Sequence, residues 1–176
     1  MDRIVLSRDA IKDIFRKAIN FYKEYFHVDL SYMKIKISKY PEDEEGNPEP
    51  DKVTELAGSR TSKGYVVIRP EPFDAVSHYG ADNDTIENFI TRVTVHELAH
   101  EVYEEHYNAR VKKFIGYAKK HGFSTTYLEN ERYEDDEESE VELFAEFMAY
   151  YYFYKNHEKY PSGVMLDGEE VKRSKE

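Results

Sequence analysis

Apolar residues at helical spacing mark four stretches of the chain. In the first, Ile11, Ile14, Phe15, Ala18, Ile19, Tyr22 and Phe26 recur every three or four positions behind Ser7, which reads as an N-cap. The period then changes to two. Met33, Ile35 and Ile37 alternate with Lys34, Lys36 and Ser38, the pattern of a half-buried strand. Pro41 to Asp51 is an acidic loop with three prolines and one glycine, and Lys52 to Ala57 is a weaker strand candidate. Gly58 to Gly64 reads as a turn, and Tyr65-Val66-Val67-Ile68 as a short apolar strand stopped by Pro70 and Pro72.

Asp84-Thr85-Ile86-Glu87 has the form of a capping box, with Asp84 as N-cap, and predicts a second helix to about Tyr107. Tyr107, Val111, Phe114, Ile115 and Ala118 form a third amphipathic run ended by His121-Gly122. Phe123 to Glu140 has no clear period, and its acidic run Glu134 to Glu138 reads as a solvated loop or a helix start. The last helix is expected over Ser139 to His157, with Val141, Phe144, Ala145, Met148, Tyr151 and Tyr152 at core spacing, ended by Pro161 and Gly163. Neither a repeat nor a linker interrupts this order. The expectation is one α+β domain over 1–160 and a polar tail over 161–176.

Composition narrows the chemistry. A chain of 176 residues, 40% of them hydrophobic, can bury about 70% of its unfolded surface. With no cysteine, disulfides and thiolate ligands are excluded, so a metal would have to be held by nitrogen and oxygen. A net charge of −11 argues against a nucleic-acid surface. No stretch has the length and apolarity of a membrane span, and a cytoplasmic protein without membrane partners is the default expectation.

The most informative segment is Val95-His96-Glu97-Leu98-Ala99-His100. On a helix, positions i and i+4 share a face, with a rise of about 6 Å between them. His96 and His100 can therefore aim two imidazoles at one point, where Zn2+ would accept both. Glu97 flanks that point without occupying a ligand position, which suits a general base. The apolar neighbours Val95, Leu98, Ala99 and Val102 point to a buried helix.

A catalytic zinc needs a third protein ligand. The last helix offers Glu142 and Glu146, one turn apart and set among Phe144, Ala145, Phe147, Met148 and Ala149. Carboxylates in such surroundings require a metal, a cation or solvent. If Glu142 is the ligand, Glu146 can receive the other ring N–H of a ligating histidine. The other candidate is His106, at the spacing of H-E-x-x-H-x-x-G-x-x-H. There Tyr103 stands where that motif has the glycine that lets the chain leave the helix. A helix continued through Tyr103 carries His106 about 15 Å along the axis from His96. The reading favours Glu142 and keeps His106 as the alternative.

The pair His96-Glu97-Leu98-Ala99-His100 and Glu142-Leu143-Phe144-Ala145-Glu146 resembles the gluzincin metallopeptidases, and most of all their small members, the minigluzincins. The resemblance implies His96, His100 and Glu142 as zinc ligands and Glu97 as base. Glu146 occupies a position where those families carry Asp, Asn or another polar residue. It also implies a small twisted, mostly antiparallel sheet on a backing N-terminal helix, with the two metal helices flooring a cleft. A peptide or protein substrate would pair with the strand nearest that cleft, for which Gly64 to Arg69 is the candidate. An oxyanion donor is expected among Tyr133, Tyr150, His121 and His157. The alternative function is a latent or regulatory zinc-binding protein of the same fold.

Overall fold

The computed structural model describes residues 7–38, 42–43, 45–48, 50, 58–61, 64–68, 83–120, 124–125, 137–155, 165–166 and 169–172. Its elements are helix α1 (Arg8–Phe26), strands β1 (Lys34–Ile37), β2 (Gly58–Arg60) and β3 (Tyr65–Ile68), helices α2 (Asn83–Glu105) and α3 (Ala109–Lys120), strand β4 (Ser124–Thr125), helix α4 (Glu137–Lys155), and strands β5 (Met165–Leu166) and β6 (Glu169–Lys172). The fold is α+β and mostly helical.

Helix α1 forms as its periodicity predicts. The Ser7 side chain accepts from the Ala10 backbone N–H at 3.1 Å, and His27 closes the other end in the left-handed conformation, with φ 56°. Ile11, Ile14, Phe15, Ala18, Phe21, Tyr22 and Phe26 form its buried stripe. The start of α3 is fastened to the end of α1. Asn108 caps α3 by accepting from the N–H groups of Arg110 and Val111, while its amide donates to the Phe26 carbonyl at 3.3 Å. Val111, Phe114, Ile115 and Ala118 of α3 are buried as the sequence pattern requires, whereas Tyr107 is exposed in the link before it.

The first sheet has the order β1-β3-β2 and is mixed, where a mostly antiparallel sheet was expected. Successive strands do reverse direction along the chain. The third, however, inserts between the first two, so β3 meets β1 in parallel and β2 antiparallel. Gly58–Arg60, expected in a turn, is a strand, and the reversal is confined to 61–64. Gly64, at φ 84°, supplies the positive angle there, with its N–H bonded to the Thr61 carbonyl. The strand candidate at Lys52 to Ala57 lies outside the described residues. Ile35 pairs with Val66 and Ile37 with Ile68, so these four side chains share one face of the sheet and meet the hydrophobic core.

Helix α2 begins at Asn83, which puts Asp84 inside the first turn instead of at the cap. It is buried continuously from Phe89 to Tyr103, the sole half-exposed position being His100. A helix enclosed on every side needs no polar stripe, and α2 packs against α1, β2, β3 and α4. α4 begins at Glu137, two residues before the expected Ser139, and ends at Lys155. Within the expected polar tail, β5 and β6 form an antiparallel pair, and β6 pairs with β4. No helix among the described residues is long and apolar enough to cross a membrane.

One contact fixes α1 to the motif helix. The buried Tyr22 hydroxyl donates to the Val95 carbonyl at 2.7 Å, one residue before His96. Tyr22→Phe removes that donor and leaves the carbonyl its helical partner. It is expected to cost about 1 kcal/mol of stability, read as a lower urea midpoint with unchanged slope. An unchanged midpoint would show that the bond contributes nothing.

Candidate metal centre

α2 and α4 pack directly on each other, and the contact brings the candidate ligands together. His96 and His100 project from one face of α2 with their Nε2 atoms 3.3 Å apart. Glu142 of α4 spans them, with one carboxylate oxygen 3.1 Å from His100 Nε2 and the other 3.4 Å from His96 Nε2. Donor atoms from these three residues all lie within 4.8 Å of one another. Ligand atoms held tetrahedrally at zinc distances of about 2.0–2.1 Å stand roughly 3.3–3.4 Å apart. The observed separations match that spacing, and the three residues could hold a metal ion.

Glu146, one turn beyond Glu142, is buried and places a carboxylate oxygen 2.7 Å from His96 Nδ1. In the neutral ring that position favours the proton on Nδ1, which would leave the Nε2 lone pair to a metal. The electrostatics of the metal-free site reflect the same arrangement. Burial lowers the His96 pKa, but the charges and hydrogen bonds of Glu146 and Glu142 outweigh it and hold the ring well above its ordinary value. Burial also raises the pKa of Glu142, and hydrogen bonds from His100 and His96 more than reverse that, leaving it well below the usual carboxylate range. A divalent cation placed among these groups competes with the His96 proton.

Glu97 follows His96 on α2 and is 6% exposed, an acid held in the same buried segment as the imidazoles. His106 sits elsewhere. α2 continues through Tyr103, whose hydroxyl donates to Glu140 at 3.1 Å, and ends at Glu105. His106 Nε2 then lies 2.8 Å from the Tyr32 hydroxyl, which itself donates to the buried Glu101. His106 is no member of the donor cluster.

Compared with known protein families the chain finds no match, and comparisons with curated proteins and with solved structures find none either. The site is therefore read from its own residues.

Of the proposed oxyanion donors, Tyr133, His121 and His157 lie outside the described residues. Tyr150 is half-buried about two turns beyond Glu142 on α4, with its ring beside Phe147. The strand reading also changes. β3 is paired on both sides, so its ladder has no room for a substrate strand, whereas β1 and β2 are the two outer strands of this sheet, and β2 packs on α2.

Sequence reasoning passed over Arg92. It is 0% exposed on α2, one turn before His96, with a guanidinium nitrogen 4.0 Å from Glu146. The signal was present, since Phe89 to Val95 is apolar or threonine except for this one permanent charge.

Proposed function

We propose that the chain is a zinc-dependent peptidase of the gluzincin type, with His96, His100 and Glu142 as ligands and Glu97 as general base. The observation that carries the reading is the position of Glu142, an acid from a separate helix within hydrogen-bond reach of both Nε2 atoms of an H-E-x-x-H pair. A donor set of two imidazoles and one carboxylate without thiolate suits zinc in a hydrolytic centre. When bound, the metal supplies Lewis acidity, which lowers the pKa of a water toward about 7 and polarises the scissile carbonyl.

The protein's own residues do the rest. Glu97 takes a proton from the attacking water and later delivers it to the leaving amine. The oxygen of that water ends on the acyl carbon, the C–N bond breaks, and the amine leaves protonated, so the reaction needs no further co-reactant. Glu146 keeps the proton of His96 on Nδ1 and fixes the plane of the ring. An extended substrate would align along β2, an outer strand in contact with α2.

Incubation of the purified chain with a denatured protein tests the reading. Cleavage is expected, with loss on chelation and return on adding zinc. A zinc-loaded chain that leaves denatured protein and peptide libraries intact would overturn peptidase activity and leave a zinc-binding protein.

A further inference from the structure

The chain places a permanent positive charge inside the protein next to the proposed metal site. Arg92 belongs to α2 and lies four residues before His96, so the two side chains share a helix face. Its side chain is fully buried. A guanidinium does not shed its proton in proteins, so burial is tolerated only with compensating charge and hydrogen bonds.

Glu146 reaches both residues from α4. One carboxylate oxygen is 2.7 Å from His96 Nδ1, and the other is 4.0 Å from Arg92 Nη2. A single carboxylate is thus held between positions i and i+4 of the motif helix. The contact to His96 is of hydrogen-bond length and that to Arg92 is an ion pair at 4.0 Å, so Arg92 acts on the carboxylate through its charge, drawing the second oxygen toward α2. The charge has a further use. Glu142 and Glu146 are carboxylates one turn apart on α4, and like charges at that spacing repel. A cation beside Glu146 offsets this repulsion before any metal arrives.

We infer that Arg92 is a positioning residue of the metal centre: its guanidinium orients the Glu146 carboxylate, which in turn orients His96. The inference rests on the zinc-site reading given above. It concerns the strength and geometry of metal binding, and Arg92 itself touches neither metal nor substrate.

A double-mutant cycle on zinc affinity tests it, using wild type, Arg92→Met, Glu146→Gln and the double variant, with circular dichroism as the check on folding. Arg92→Met is expected to weaken zinc binding by roughly 10- to 100-fold, the range for outer partners of a ligating histidine. In the Glu146→Gln background the same replacement is expected to have little further effect, because the orienting carboxylate is already lost. Cobalt-loaded Arg92→Met should show visible bands shifted from those of wild type, a change that a purely structural role would not produce. Full affinity in Arg92→Met, or an equal loss in both backgrounds, overturns the inference while leaving the zinc site intact. A wild type that takes up no zinc overturns both. If Arg92→Met does not fold, Arg92→Gln completes the same cycle, since glutamine keeps a polar side chain of similar reach and loses the charge. Additive effects there are again a refutation.

Discussion

Glu97→Gln is expected to lower peptide hydrolysis by about 10²- to 10⁴-fold, the usual contribution of a positioned general base, while the protein still binds one zinc per chain. The amide has nearly the shape of the acid, so the buried segment of α2 keeps its packing, but an amide cannot accept the proton of the attacking water. Glu97 follows His96 directly and contributes no donor atom to the cluster of His96, His100 and Glu142. The roles therefore separate in one experiment that measures metal content and turnover on the same preparation. Loss of zinc together with turnover would make Glu97 a ligand or a structural acid. Undiminished turnover would remove it from the chemistry.

Glu142→Ala is expected to act on the metal itself. Removing one of three protein donors should weaken zinc by more than the roughly 100-fold upper range for an outer partner, and turnover should vanish with it. Metal analysis of the purified variant beside wild type decides the matter, and equal zinc content would rule out Glu142 as a ligand. The metal-free site adds a pH signature. The raised pKa of His96 gives stability that is complete below the ordinary value of 6.5 and fades as pH rises through the raised one. The lowered pKa of Glu142 gives stability present above 4.5 and lost as pH falls through its lowered value. Metal-free wild type should accordingly weaken as pH climbs above neutrality, and zinc should remove that weakening because it takes the place of the proton. Glu142→Ala should show a smaller alkaline loss and no zinc rescue. Thermal melts at several pH values, with and without zinc, read both effects.

Much of the scaffold was legible because its signals are local. Ser7 and the stripe from Ile11 to Phe26 specify α1 through one side-chain cap and a period of 3.6. Alternation around Ile35 and Ile37 specifies β1 through a period of two. The start of α2 was read two residues late: with Asp84 as N-cap the first helical residue would be Thr85, whereas Asn83 is already helical. The order β1-β3-β2 was not legible at all. Strand pairing depends on which edge the chain reaches after a long connection, and no residue pattern within Lys34–Ile37 or Tyr65–Ile68 encodes that choice. That Tyr65–Ile68, the candidate for the substrate edge, is the central strand of the sheet was not legible for the same reason.

At the site the division is sharper. That His96 and His100 share one face was legible from sequence because four-residue spacing on a helix fixes their relative directions by itself. Glu142 and Glu146 could be nominated, since acids on an apolar helix demand a partner, but the partner could not be named. His106 could be set aside only once α2 was seen to run unbroken through Tyr103.

The sequence alone determined the helices, the imidazole pair and the kinds of donor available, because each depends on neighbours within a turn or two. The tertiary structure decided that α4 lies against α2, that Glu142 spans both imidazoles, and that Glu146 stands between His96 and the enclosed Arg92. Those contacts join residues about fifty positions apart, and their distances are set by how two helices pack, which neither helix encodes by itself.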